Sequence, residues 1–251
     1  VSELRFEGVT VHYGHQRTGL RAVDDISLTV PAGQVVGLVG ESGSGKSTLA
    51  ATAVGLVAPS AGRVLLDGVD VRRLRGRERG LQMVFQDPYS SLDPRMSIGE
   101  SIAEAMPKGT DRRAEVARLL ELVHLDPGRA TALPARLSGG QRQRVALARA
   151  LAGQPEVIIA DEITSALDVS VQGAVLNLVR ELQDRLGLSM LFISHNLAVV
   201  RYVSDRIAVM RHGVLVEEGT ADQVLAQPRH EYTRELLAAA PSRHTSLLEA
   251  L

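Results

Sequence analysis

The chain has 251 residues, 45% of them hydrophobic, with 28 basic and 29 acidic side chains and a net charge of −1. That length and apolar content suit one large domain with a substantial core, and near-neutrality excludes a general attraction to nucleic acid or anionic membrane. Cysteine is absent, which excludes disulfides, thiolate zinc and iron–sulfur ligation and suits a reducing compartment.

The opening VSELRFEGVT has neither a basic head nor an apolar run, so no secretory signal is expected there. The longest uncharged runs, 47–62 and 186–200, are too short to span a bilayer and are interrupted by Gly, Pro, Ser, His or Asn. The expectation is a soluble protein whose membrane role, if any, runs through a partner. LRFEGVTVHY (4–13) alternates apolar and polar residues, the pattern of a half-buried antiparallel strand. A loop over 14–22 follows, then strands at 26–30 and 34–40 separated by the Pro31-Ala32-Gly33 turn. A helix is predicted from near Lys46, ending before Pro59, with strands at 63–68 and 81–85.

From about 87 to 154 helical periodicity dominates, at 97–106, 112–124 and 138–152. Strands return at VIIAD (157–161), MLFIS (190–194) and RIAVM (206–210), alternating with helices near 168–186 and 195–203. This alternation implies an α/β fold with a mostly parallel sheet, into which the helical middle is inserted. RRLRGRER (72–79) carries five arginines without interleaved aromatics, so a solvated loop is favoured over a nucleic-acid patch.

GESGSGKS (40–47) fits G-x-x-x-x-G-K-[ST] at every fixed position, after an apolar strand and at the start of a helix. Gly40, Gly43 and Gly45 let the backbone curl so that N–H groups converge on phosphate oxygens, and the helix N-terminus adds positive potential. The cradle is expected from Gly40, Glu41, Ser42, Gly43, Ser44, Gly45, Lys46, Ser47 and Thr48. Lys46 offers a point charge to the β- and γ-phosphates, and the Ser47 hydroxyl is a ligand for Mg²⁺. The motif alone does not separate an ATPase from a GTPase or a small-molecule kinase. VIIADE (157–162) ends a buried strand in two acids at the carboxyl edge of the sheet, where open α/β folds bind ligands. Asp161 is expected to hold Mg²⁺ through water, and Glu162 to orient and deprotonate an attacking water. Solvated acids at an ordinary strand end are the competing reading.

LSGGQ (137–141) places two glycines before a helix without a following lysine. The phosphate loop, LSGGQ, the acid pair, SALD (165–168) and ISH (193–195), in this order and spacing, resemble the ATP-binding subunits of ABC transporters. MVFQDPYSSLDPRMSIGESI (83–102), TSALDVSVQ (164–172) and HEYTRELLAAAP (230–241) are more particularly similar to the oligopeptide, dipeptide and nickel importer subgroup. The resemblance implies a P-loop NTPase (RecA-like) core with an N-terminal antiparallel β subdomain and an inserted helical signature subdomain. That makes one ABC ATPase domain over 1–251, with the insertion at about 87–154 and a C-terminal helical extension at about 220–251.

It further implies ATP and Mg²⁺ as ligands, and a head-to-tail dimer. In that dimer Ser138, Gly139, Gly140 and Gln141 contact ATP held by the other subunit, while Ser138 also serves as a helix cap. Tyr13 matches the family's adenine-stacking aromatic, with a core-packed strand residue as the alternative. Gln86 matches the glutamine that senses Mg²⁺ and the attacking water, on a loop that meets the membrane subunit. His195 matches the switch histidine near the γ-phosphate, and Asp168 the loop that couples the two sites. The other six histidines lack metal-ligand spacing. The implied partners are a second ABC ATPase subunit, either this chain again or a homologous one, two transmembrane permease subunits and, indirectly, an extracellular binding protein, with no nucleic acid. The implied place is the cytoplasmic face of the membrane.

Two positions depart from the family pattern. Ile163 stands where proline is usual and, lacking the ring that fixes φ, is expected to be more mobile with little effect. His230-Glu231 replaces His-Pro, and residues 232–251 contain no cysteine. A soluble ABC ATPase acting on nucleic acid, ribosomes or cluster assembly, and a stand-alone nucleotide-binding regulator, are the alternative functions.

Overall fold

A computed structural model describes residues 1–14, 19–74, 80–87 and 91–239. Most of the arginine-rich 72–79 segment, three residues of the 83–102 motif and the end of the 230–241 motif therefore lie outside the described residues. The N-terminal part is an antiparallel sheet in the order β2-β1-β4-β5, from β1 (Leu4–Tyr13), β2 (Leu20–Val30), β4 (Ala61–Leu66) and β5 (Val69–Asp70). The predicted alternation of β1 survives with an irregularity between Phe6 and Val9, where Gly8 takes φ +56°. The loop expected over 14–22 is shorter at its C-terminal side, because β2 already begins at Leu20.

The second sheet has the order β10-β9-β3-β8-β7-β6, with β3 (Val35–Val39), β6 (Leu81–Val84), β7 (Val157–Asp161), β8 (Ser189–Ser194), β9 (Arg206–Arg211) and β10 (Val214–Thr220). All pairings are parallel except that of β10 with β9. Every residue of β3, β7 and β8 is buried, as expected for strands covered on both faces. Their side chains alternate between two cores. Val35, Val39, Ile158, Ala160, Met190 and Phe192 face the larger one, while Val36, Leu38, Val157, Ile159, Leu191 and Ile193 face the one shared with the N-terminal sheet. β10 has no place in the sequence reading. It is a polar edge strand carrying Glu217 and Glu218 without a clean hydrophobic alternation.

Helix α1 (Lys46–Ala53) follows β3 directly. Between β6 and β7 lie α2 (Ile98–Glu104), α3 (Arg112–Leu122), two short 3₁₀ turns (Pro127–Thr131 and Pro134–Arg136) and α4 (Gly139–Ala152). Their ends are written locally. Ser97 with Glu100, and Ser138 with Gln141, form capping boxes, and the Asp111 side chain accepts from the N–H groups of Arg113 and Ala114. Beyond β7 come α5 (Val169–Leu186), closed by the left-handed Gly187, then α6 (Leu197–Val203), α7 (Ala221–Ala226) and α8 (Glu231–Ala239). Helix α6 lies so close to β3 that a Cβ at Gly37 would sit 2.2 Å from Val200 Cγ1.

Candidate active site

The carboxyl ends of β3, β8, β7 and β6 line one edge of the parallel sheet, and each delivers predicted site residues. β3 runs into the 40–45 loop, β8 into Ser194-His195, β7 into Asp161-Glu162 and β6 into Phe85-Gln86. The loop conformation requires its glycines. Gly45 takes φ +101°, and a Cβ there would meet the Ala22 carbonyl oxygen at 2.1 Å; one on Gly40 would meet that of Met210 at 2.1 Å.

Lys46, 4% exposed, folds back into the loop. Its Nζ donates to the carbonyls of Gly40 (2.8 Å) and Glu41 (2.7 Å), with Ser44 Oγ at 3.4 Å. Ser47 Oγ donates to Asp161 Oδ1 at 3.1 Å, joining α1 to the end of β7. Glu162 leaves the strand with φ +48°, a left-handed conformation disfavoured for a residue with a Cβ. Its N–H is held by the Ile193 carbonyl at 2.9 Å, and Oε2 lies 3.1 Å from His195 Nδ1. Ser165 Oγ donates to the Glu162 carbonyl at 2.9 Å and accepts from Gln86 Nε2 at 3.0 Å. Lys46, Ser47, Asp161, Glu162, His195 and Gln86 are thus brought to one sheet edge.

Burial sets the electrostatics. Desolvation pushes the Asp161 carboxyl above its ordinary value; the neighbouring Glu162 adds to this, and the Ser47 bond and Lys46 oppose it. Desolvation likewise lowers Lys46, against the pull of Glu162, Asp161 and Glu41. A buried ammonium at a helix N-terminus attracts a phosphate anion more strongly than the same charge in water would, while the two strand-end acids beside it oppose an anion until a cation neutralises them.

The remaining predicted residues stand apart from this group. Ser138 caps α4, accepting from Gln141 N–H at 3.3 Å, while Gln141 Oε1 accepts from Ser138 N–H at 3.0 Å. No hydrogen bond among the described residues joins this turn to the 40–48 loop. Gly140 is needed within the chain itself, because a Cβ there would lie 2.3 Å from Val171 Cγ1 on α5; at Gly139 the nearest atom is Leu167 Cδ2 at 3.3 Å. Asp168 occupies the N-cap position of α5 without a side-chain cap bond. Tyr13 is 45% exposed at the end of β1, which rules out the core-packed alternative. It pairs with Leu20, two residues before the Ala22 that abuts Gly45. Ile163 is 1% exposed in the larger core. Packing pins it where a ring would pin proline, contrary to the mobility expected from its lack of a ring.

Residues 23–165 match the ABC transporter family. This chain belongs to that family. Over 249 residues the cassette is 46% identical to a putative peptide import ATP-binding protein of Brucella ovis, covering 95% of this chain and 78% of that one. It is 48% identical over 255 residues to a probable peptide ABC transporter ATP-binding protein of Sinorhizobium fredii, covering 95% and 72%. With the oligopeptide transport ATP-binding protein OppD of Mycobacterium tuberculosis it shares 47% over 231 residues, 88% of this chain but 38% of that one. Among solved structures it superposes on the cassette MJ0796, a dimer bound to ADP and phosphate, with a TM-score of 0.75 at 29% identity, covering 87% and 98%. With cbiO1 of Clostridium perfringens, part of the cbiONQ transporter, the TM-score is 0.78 at 27% identity, covering 95% of each chain. The reaction of this cassette is ATP hydrolysis.

Sequence reasoning missed Ser165 as the link between Gln86 and the Glu162 backbone, although Ser165 opens the SALD motif. It also missed the contact of the late HEYTRELL segment with the phosphate loop, taken up below.

Proposed function

We propose that this cassette is the motor subunit of a peptide importer, and that it hydrolyses ATP at composite sites shared with a second cassette. The observation that carries this is the split between two halves of a site. The buried Lys46, the Ser47–Asp161 pair and the Glu162–His195 pair share one sheet edge, whereas the Ser138 turn, at the head of α4, makes no bond to them. A capped helix N-terminus with exposed Ser138 is a ready anion site for a ligand held elsewhere. The Brucella relative, named for peptide import, and the Sinorhizobium relative, named for a peptide ABC transporter, supply the substrate class.

The residues present fit a magnesium ion. Ser47 Oγ and Asp161 Oδ1 are hard oxygen donors 3.1 Å apart, and Gln86 keeps its amide oxygen free of the bond that Nε2 makes to Ser165. Among the described residues no group of three or more His, Asp or Glu is poised for a metal. The Ser47, Asp161 and Gln86 oxygens suit an ion that takes few protein ligands and completes its shell with water and phosphate. When bound, it neutralises charge on the β- and γ-phosphates.

Lys46 holds the phosphate tail, and the loop N–H groups orient it. Tyr13 offers an exposed ring to the adenine. Glu162 accepts a proton from water as the water oxygen bonds to the γ-phosphorus and the bond to the β-phosphate oxygen breaks, leaving ADP and inorganic phosphate. His195 steadies the Glu162 carboxylate and faces the departing phosphate, and the partner's Ser138 turn shares its negative charge. Asp168, at the head of α5 near the Ser138 turn, links one composite site to the other.

A groove lined by Gln82, Met83, Phe85, Glu104 and Arg149 opens beside the Gln86 loop. There the exposed Phe85 offers an anchor to a permease loop. No helix among the described residues is long and apolar enough to cross a membrane. On the importer reading, it is the permeases that hold the cassette at the cytoplasmic face. Co-expressed in tagged form with its candidate permease pair, the cassette is expected to retain both multi-span proteins in detergent. Free cassette alone would favour the soluble ABC ATPase reading.

A further inference from the structure

Helix α8, near the C-terminal end of the described chain, reaches the phosphate loop. Tyr232, 1% exposed, accepts a hydrogen bond through its Oη from the N–H of Glu41 at 3.0 Å, across 191 residues of sequence. This N–H belongs to the same peptide unit as the Gly40 carbonyl that accepts from Lys46 Nζ at 2.8 Å. In a trans peptide the two groups point in opposite directions, and the chain contains no cis bond among its described residues. The Gly40–Glu41 peptide plane is therefore gripped at its oxygen end by Lys46 and at its hydrogen end by Tyr232. Turning it over would break both bonds and swing the carbonyl away from the ammonium.

The tyrosine is itself held. The Arg211 guanidinium lies over its ring at 4.5 Å from the centroid. The turn entering α8 is tied to β10, because the Glu217 carboxylate accepts from the N–H groups of Arg229 (2.7 Å) and His230 (3.0 Å). His230 Nδ1 in turn accepts from Tyr232 N–H at 3.1 Å. β10 follows the Gly213 turn, whose N–H donates to the Ser44 carbonyl inside the loop at 3.0 Å. The loop is thus braced from the β9–β10 side at two points, and of these the Tyr232 bond is the one on a peptide whose carbonyl accepts from Lys46.

We infer that Tyr232 is a positioning residue of the ATP site, one that fixes the Gly40–Glu41 peptide and through it sets Lys46 before nucleotide arrives. The inference rests on the phosphate-loop reading of Lys46. Because the clamp organises the loop ahead of nucleotide binding, its loss falls on binding more than on chemistry.

Tyr232→Phe keeps the ring, its packing and the arginine contact, and removes only the acceptor. The expected result is a KM for ATP raised about five-fold, the effect of one typical net hydrogen bond, with kcat within about two-fold of wild type. Hydrogen exchange at the Glu41 amide should quicken while the α8 amides keep their protection. Thr233→Val, a change at the fully buried neighbour, should leave KM unmoved. An unchanged KM with unchanged exchange at Glu41 would overturn the inference. So would a raised KM accompanied by loss of protection throughout α8, or matched by Thr233→Val, since both describe general loosening. Lys46→Ala, measured in parallel, separates the two readings. If it keeps full ATP affinity, the phosphate-loop reading fails; if it loses affinity while Tyr232→Phe changes nothing, only the clamp fails.

Discussion

Replacing Glu162 by glutamine tests the chemistry most directly. The side chain is 15% exposed, with Oε2 3.1 Å from His195 Nδ1, and glutamine has the same shape and retains an oxygen for that contact. The backbone is equally undisturbed, since the left-handed φ of +48° is borne by either residue at the same cost of about 1–2 kcal/mol. Fold stability should therefore hold, with Tm within about 3 °C of wild type. What disappears is the proton acceptor. A positioned general base contributes about 10²–10⁴ in rate, or about 2.7–5.4 kcal/mol of barrier. Phosphate release at saturating Mg·ATP should fall by that factor, while fluorescent-ATP affinity stays within about two-fold. With hydrolysis blocked, the closed pair should persist, so light scattering should show a dimer with ATP and Mg²⁺ that reverts to monomer with EDTA. A kcat within about three-fold of wild type would refute the assignment of the base. A normal slow-turnover variant that stayed monomeric at saturating ATP would refute the shared site instead.

Asp161→Asn reports on the buried carboxyl. Burial raises the pKa of Asp161 above 3.8. Below the unfolded value the carboxyl is protonated in both states and folding incurs no charge penalty; the penalty grows as pH rises and is complete above the folded value. In nucleotide- and magnesium-free protein, Asp161→Asn should therefore raise Tm at pH 7.5, and the gain should vanish as pH falls below 3.8. Magnesium-dependent ATPase activity should be lost at every pH, and an equal Tm difference across the titration would contradict the burial argument. Mixing Lys46→Ala with Ser138→Arg chains addresses completion by the partner. Each homodimer carries two spoiled sites, but a mixed dimer gathers both lesions into one site and leaves the other whole. The mixture should recover activity that neither protein shows alone, and no recovery with confirmed chain exchange would place both groups in one chain's site.

Much of this site could be read from the sequence because its parts are local. The phosphate loop is eight consecutive residues between a strand and a helix, and Asp161-Glu162 ends a strand whose apolar run announces its burial. Capping of α4 was legible from Ser138 and Gln141, three residues apart. The links between these pieces were not. Gln86 meets Ser165 across 79 residues and Tyr232 meets Glu41 across 191, and neither pair leaves a trace in periodicity or spacing. β10 escaped notice because an edge strand with two glutamates and a glycine lacks the hydrophobic pattern that reveals a strand. Gly140 was read for its approach to a ligand, whereas Val171 already occupies the space a side chain would need. Sequence alone could not rank those two demands.

β7 is apolar toward both of its neighbouring layers, so hydrophobicity would tolerate a slip of one residue along the strand. With the roles proposed above, such a slip would exchange the magnesium-side acid for the water-side acid without exposing a single oily group. Besides the side-chain contacts of Asp161 and Glu162, a pair of stops at the strand's ends opposes it: Val157 N–H on the Gly80 carbonyl, and the reversed backbone of Glu162 on that of Ile193. The register of the two acids is thus held in part by main-chain anchors that no side-chain motif records.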